Sequence, residues 1–83
     1  MKSLTQYGRM AEKHWRAFLP KMVAKLESTG RLHEMLLEAE EQTEKELDRI
    51  RRDLIQSGLT PQQAHDQAWE MVRERYIFLP PES

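Results

Sequence analysis

The side chains that could carry out chemistry are few and scattered in this sequence of 83 residues. It contains no cysteine, and its three histidines, His14, His33 and His65, are not spaced as metal ligands. The pair His33-Glu34 begins a zinc-protease motif, but Leu37 stands where the second histidine belongs. We therefore expect neither a metal site nor a cofactor, and we expect His14 to be packed and hydrogen-bonded.

Serines and carboxylates offer no catalytic arrangement either. The serines lie near predicted helix ends or chain termini, where serine caps helices, and no glycine-rich loop is present to bind phosphate. Carboxylates crowd residues 38–48, but such a run on an exposed helix is typical of a solvated surface. These observations predict that the protein is not an enzyme and has no catalytic residues.

The longest segment without a helix-breaking residue is residues 31–57, which lie between Gly30 and Gly58. Its apolar and small residues recur at steps of three and four, which places them on one stripe of an α-helix. The stripe comprises Leu32, Leu36, Ala39, Thr43, Leu47, Ile50 and Leu54. At ~1.5 Å per residue this helix would be roughly 40 Å long. The small residues Ala39 and Thr43 at its middle either allow close helix approach or mark a partly solvated section.

Residues 4–29 form a first helical region that contains one proline. Pro20 removes a backbone donor, and its ring clashes with the carbonyl of Arg16, which predicts a kink or short break near residues 17–19. The apolar stripe keeps its phase across the proline, which favours a bend over a long loop. That stripe comprises Tyr7, Met10, Ala11, His14, Trp15, Phe18, Leu19, Met22, Val23 and Leu26.

The last helix has the clearest start signal in the sequence. Thr60 is suited to the N-cap, Pro61 to the first helical position, and Gln63 to closing a capping box with Thr60. The pattern predicts a helix over residues 61–76. The apolar, proline-containing residues 77–81 follow, and we expect them to pack across the first two helices or else to insert into a partner.

Together these patterns predict one all-α domain over residues 1–83. We expect a three-helix bundle with a kinked first helix, a long antiparallel central helix and an extended C-terminal tail after the third helix. The sequence has no apolar run of about 18 residues and no signal peptide. It therefore predicts no membrane segment and a cytoplasmic location.

Charge is distributed unevenly along the chain, although the net charge is only −1. Residues 1–31 are basic, residues 32–48 are acidic, and residues 49–83 are balanced. One interpretation is that two antiparallel helices have complementary surfaces that neutralise each other. The other is a basic surface that binds nucleic acid, which requires free cations. The candidate residues for that surface are Arg9, Lys13, Arg16, Lys21 and Lys25.

A protein partner is the second kind of ligand that the sequence suggests. The features are an apolar tail, an acidic helix surface, and two Trp and five Met in a small chain. The candidate partner-binding residues are Ile77, Phe78, Leu79, Glu40, Glu41 and Glu44. A core this thin leaves apolar surface exposed, so a homodimer is also a reasonable expectation.

Two blocks of the sequence resemble the small transposon-encoded proteins of the TnpV family. The first block includes His14-Trp15-Arg16 and Gly30-Arg31-Leu32, and the second is residues 68–78, which are similar to the closing segment of that family. Together the blocks cover about half of the chain. The resemblance implies a gene carried on a bacterial mobile element, and it transfers no catalytic residue.

The leading functional prediction is therefore a non-enzymatic accessory protein of a mobile element or phage that binds a protein partner. Inhibition of a host defence complex is one specific form of it. The alternative is a small DNA- or RNA-binding protein that uses the basic first helix. If the cations of residues 9–25 pair with the acids of residues 34–48 inside the fold, no basic surface is left to bind nucleic acid. If these cations are unpaired, the nucleic-acid-binding alternative is favoured.

Overall fold

The computed structural model describes residues 3–82, and all the regular secondary structure in this range is helical. The prediction of an all-α protein is therefore confirmed. The chain forms four helices, however, in place of the three that the sequence predicts. They are α1 (Gln6–Phe18), α2 (Pro20–Ser28), α3 (Leu32–Gln56) and α4 (Pro61–Tyr76).

The extra helix arises at Pro20, because the predicted kink or short break near residues 17–19 is a break at Leu19. Leu19 leaves the helical region with φ −131° and ψ 51°, and Pro20 occupies the first position of α2. Proline suits that position because its missing N–H has no intrahelical partner there. Only one residue separates the two helices, and Leu19 is itself buried, so the apolar stripe continues across the break.

Helix α3 is the element against which α1, α2 and α4 all pack. It is bounded as the sequence predicts, because Gly30 and Gly58 adopt positive φ values of 71° and 107° that favour glycine. At its middle Thr43 is fully buried, and its hydroxyl donates to the carbonyl oxygen of Ala39 at 2.8 Å. The small residues therefore allow close helix approach and do not mark a solvated section.

The core consists of two adjoining clusters of buried residues. The larger one joins α1, α2, the first half of α3 and Ile77, and the smaller one joins the second half of α3 to α4. Tyr7, Trp69 and Tyr76 are partly buried and pack against both clusters. The Cα atoms extend over 47 × 32 × 14 Å, so the bundle is flat. In so thin a fold many apolar side chains reach the surface.

The amino ends of α1 and α2 are both capped by carboxylates from distant parts of the chain. Glu40 of α3 accepts hydrogen bonds from the backbone N–H and the hydroxyl of Thr5, just before α1. Glu82 accepts from the backbone N–H groups of Lys21 and Met22 in the first turn of α2. Neither helix has a side-chain cap from its own N-cap residue. These four hydrogen bonds therefore couple the helix ends to the tertiary fold.

The last helix and the tail follow the sequence prediction closely. Helix α4 spans Pro61–Tyr76, and Thr60 and Gln63 form the expected capping box. The tail then crosses α1: Trp15 Nε1 donates to the carbonyl oxygen of Ile77 at 3.1 Å, and the backbone N–H of Glu82 donates to Phe18 O at 3.0 Å. These hydrogen bonds show that the tail packs within the fold, which is the first of the two alternatives predicted for it. Across residues 3–82, no helix is both long and apolar enough to span a membrane.

Candidate partner-binding site

The site is an open groove of about 350 Å³ between α1 and the tail, which we call the Phe18 groove. Its walls are apolar or aromatic side chains with a single lysine. The lining residues are Met10, Lys13, His14, Ala17, Phe18 and Phe78. Phe18 contributes the most exposed aromatic ring, with 48% of its surface accessible.

Helical spacing explains why α1 contributes this wall. Met10, His14 and Phe18 lie four residues apart, so they form one ridge along α1. This ridge runs beside the buried positions Ala11 and Trp15, which face the core. Helix α1 ends at Phe18, so no further turn of α1 covers the Phe18 ring. The groove therefore forms where the buried stripe of α1 meets its exposed side.

Aromatic rings connect the groove to the core in a continuous series. His14 lies 4.7 Å from Phe18 and 5.2 Å from Phe78, measured between ring centroids. Phe78 is 6.0 Å from Trp69, and Trp69 is 5.4 Å from Tyr7. All four spacings are in the range of favourable aromatic pairs. The imidazole of His14 is held further by a 2.8 Å hydrogen bond between Nε2 and the carbonyl oxygen of Leu79, so the predicted packed histidine is confirmed.

The charge at the groove is positive and available. Lys13 lines the groove, and Arg9 lies one turn earlier on α1; both side chains are exposed. Within the described residues neither of them forms an ion pair. Arg16 differs, because it bonds Glu12 at 2.9 Å and Glu27 at 3.5 Å. These contacts raise the pKa of the Arg16 guanidinium, with the hydrogen bond that it donates to Glu12 as the largest cause.

The tail residues predicted to bind a partner are buried or half-buried in the fold. Ile77 is fully buried, so it has no surface for a partner. Phe78 and Leu79 are half-buried, and Phe78 forms part of the Phe18 groove. The tail therefore builds a surface on the folded chain and does not extend away from it.

The acidic residues predicted to bind a partner occupy three different environments on α3. Glu40 is only 4% exposed, so the expectation that it belongs to an exposed acidic surface is wrong. It lies between buried residues of the α3 stripe, and one of its oxygens, Oε1, has no hydrogen-bond partner in the described part of the chain. Glu41 is exposed and pairs with Lys45 at 3.2 Å. Glu44 is exposed and forms no ion pair with any described residue.

The basic residues of the first region do not neutralise the acidic helix. All five candidates are exposed: Arg9, Lys13, Arg16, Lys21 and Lys25. In the described part of the chain none of them pairs with an acid of residues 34–48, and Arg16 pairs only with Glu12 and Glu27. The interpretation of two mutually neutralising helix surfaces is therefore wrong. The two oppositely charged segments pack together through apolar residues, and each forms mainly local ion pairs.

Ala17 was not foreseen as a site residue, and neither were three other groove residues: Met10, His14 and Phe18. The sequence places them on the apolar stripe of the first region, where they count as core. The signal that could have distinguished them from core residues is the width of that stripe, which extends too far around α1 to be covered by α3 alone. Only the position of the tail shows which part of the stripe stays open.

Within residues 3–82, no three His, Asp or Glu side chains are grouped so that they could hold a metal ion. Comparison with known proteins identifies no matching family model, no matching curated protein and no matching solved structure. The resemblance to the TnpV family therefore stays a prediction.

Proposed function

We propose that this chain is a non-enzymatic accessory protein that binds a protein partner through the Phe18 groove. The observation that carries the proposal is the half-exposed Phe18 ring in a groove whose remaining walls, apart from His14 and Lys13, are apolar. Lys13 is unpaired among the described residues. The expected partner segment presents an apolar anchor side chain flanked by carboxylates. The anchor would fill the groove, and the carboxylates would meet Lys13 and Arg9.

The composition of the groove favours a protein ligand. Protein interfaces are enriched in aromatic residues and methionine at their centre, with charged groups at the rim. The Phe18 groove has Phe18, Phe78 and Met10 inside and Lys13 at its edge. Phe78 is backed by Trp69 and His14, so part of the surface is ordered before a partner arrives. A preordered aromatic site loses less side-chain entropy on binding.

The biological setting that we propose is a bacterial mobile element or phage. This part rests only on the sequence resemblance, and an inhibitor of a host defence complex is its specific form. No reactive group takes part in the proposed activity. It would work by occupying a surface of the partner.

Affinity capture from a lysate of the native host, followed by mass spectrometry, tests the proposal. The wild-type chain is compared with Phe18→Ala and Lys13→Glu, which alter the anchor site and the charge of the groove. Met71→Ala is the matched control, because Met71 is also half-exposed and apolar but lies on α4, outside the groove lining. We expect at least one protein that the wild type and Met71→Ala retain and that both groove variants lose.

Two outcomes would contradict this proposal. One is that no captured protein distinguishes the groove variants from the control. The other is a shared partner that Phe18→Ala retains fully, which would place binding on another surface.

A second candidate function is nucleic-acid binding, which is favoured by the cations of residues 9–25 that do not pair with the acidic helix. Three carboxylates interrupt this surface: Glu12 and Glu27 at Arg16, and Glu82 at the start of α2. Phosphate binding depends on several free cations and weakens steeply with salt. Binding to duplex or single-stranded oligonucleotides at about 50 mM salt, with loss on raising the salt, would support this candidate. Absence of binding at that salt concentration would remove it.

A further inference from the structure

A second apolar groove, of about 200 Å³, lies between α2, α3 and the end of α4, and we call it the Met35 groove. Its apolar lining includes Met22, Leu26, Met35, Ala39, Tyr76 and Leu79. No residue is shared between the lining of this groove and that of the Phe18 groove. Binding at one groove and binding at the other can therefore be tested separately.

The two edges of the Met35 groove carry opposite charges. On the α3 side Glu38 belongs to the lining and is exposed. On the α2 side Lys25 is exposed three residues after Met22, a spacing that makes it the neighbour of Met22 on the helix surface. Neither Lys25 nor Glu38 forms an ion pair with any of residues 3–82. The lining also contains Arg75 of α4, but this residue bonds Glu46 at 2.6 Å. The charges that stay unpaired among residues 3–82 are therefore Lys25 beside the α2 edge and Glu38 at the α3 edge.

We propose that the Met35 groove is the interface of a homodimer in which two copies pack face to face. A two-fold axis that runs along the groove places α2 of one copy over α3 of the other. Lys25 of each copy then faces Glu38 of the second copy, and the apolar side chains between them become buried. A two-fold interface of this kind must be self-complementary, and a surface with one edge of each sign meets that condition.

Charge complementarity favours a second copy over an unrelated helix as the occupant. An unrelated helix would need an acid and a base at the right separation to satisfy both edges, whereas a second copy supplies both by symmetry. The methionines help in the same way, since their flexible side chains fill the irregular space between two identical surfaces. The proposal does not depend on a partner at the Phe18 groove.

Analytical ultracentrifugation of the full chain tests the dimer. We expect the wild type to associate with a midpoint in the micromolar range, and Lys25→Glu or Glu38→Lys to weaken association by at least about tenfold, since symmetry counts each substitution twice. The double variant Lys25→Glu/Glu38→Lys restores opposite charges across the interface, so its association should return to near that of the wild type. Lys25 and Glu38 are both exposed in the single chain, so substitutions at these positions should not prevent folding.

Glu44→Lys is the matched control, because Glu44 is exposed on another side of α3 from Glu38. It makes the same charge change and should leave association unaffected. A wild-type chain that stays monomeric at millimolar concentration would overturn the proposal. So would a dimer that neither single reversal weakens, or one that the double reversal fails to restore.

Discussion

Glu40, near the middle of α3, accepts a 2.8 Å hydrogen bond from the backbone N–H of Thr5, thirty-five residues earlier in the chain. The same carboxylate oxygen also accepts the hydroxyl of Thr5. Glu40 is buried, and its other oxygen has no hydrogen-bond partner among residues 3–82, so within this range Thr5 supplies both of the bonds that this carboxylate makes. The start of α1 is therefore tied to α3 by two hydrogen bonds to one carboxylate oxygen.

Loss of the Thr5 hydroxyl should destabilise the fold. Thr5→Val keeps the shape of the side chain and the backbone N–H but leaves the buried carboxylate with one hydrogen bond in place of two. We expect the free energy of unfolding to fall by about 1–3 kcal/mol, measured by urea denaturation. Thr5→Ser, which retains a hydroxyl, is the control and should lie close to the wild type. Equal stability of Thr5→Val and Thr5→Ser would show that the hydroxyl bond contributes nothing.

The cap that Glu82 places on α2 should also be measurable. Its carboxylate accepts the backbone N–H groups of Lys21 and Met22 at 3.1 and 3.0 Å. Glu82→Ala removes both bonds, and we expect a loss of about 0.5–2 kcal/mol, as for other helix caps. Glu70→Ala, an exposed change on α4, should have little effect. If the two variants unfold at the same denaturant concentration, the tail does not stabilise α2.

The indole N–H of Trp15 should matter separately from the size of its ring. Trp15 is 3% exposed and donates to the carbonyl oxygen of Ile77, where the tail begins. Trp15→Phe leaves that carbonyl without its partner and removes part of the ring, which should cost at least about 1–3 kcal/mol. In a domain of this size each kcal/mol lowers the melting temperature by about 4–8 °C.

Trp69→Phe is the control for this change, because the Trp69 ring nitrogen makes no hydrogen bond with the described residues. It should lower the melting temperature less than Trp15→Phe does. A larger effect at Trp69 would mean that ring size, and not the bond to the tail, governs the contribution of Trp15.

Two phenylalanines that line the same groove should respond differently to truncation. Phe78 is half-buried against Trp69 and His14, so Phe78→Ala should lower the melting temperature by several degrees, although by less than the ~3–5 kcal/mol of a fully buried phenylalanine. Phe18 is 48% exposed, so Phe18→Ala should change the melting temperature much less. Thermal melts of both variants check this. If the melting temperature of Phe78→Ala equals that of the wild type, the tail is not part of the core. That result would favour a role of the tail in contacting a partner.

Several elements of the fold were predictable because the forces that set them act within a few residues. The start of α4 follows from Thr60, Pro61 and Gln63, and the ends of α3 follow from Gly30 and Gly58. The apolar stripe of α3 predicted its buried face for the same reason, since helical periodicity is a local property. The class of fold could therefore be derived from pattern alone.

The candidate site was less predictable, because exposure depends on which distant segments cover a stripe. Phe18 and Trp15 belong to the same sequence pattern, but the tail covers Trp15 and leaves Phe18 half-exposed. Glu40 stands in an acidic run that resembles a solvated surface, and only its contact with Thr5 shows that it is buried. No rule of local spacing connects residues so far apart in the chain.

By itself the sequence determined that this chain is helical, where α3 and α4 begin and end, and that reactive side chains are scarce, because these properties depend on residue type and short-range spacing. The tertiary structure alone decided that the region around Pro20 breaks into two helices and does not bend, that carboxylates from α3 and the tail cap α1 and α2, and that, among the described residues, the cations of residues 9–25 do not pair with the acids of residues 34–48. These outcomes depend on how apolar faces are shared among elements far apart in the chain. Burial is a property of the whole packed molecule, and side-chain periodicity records only part of it.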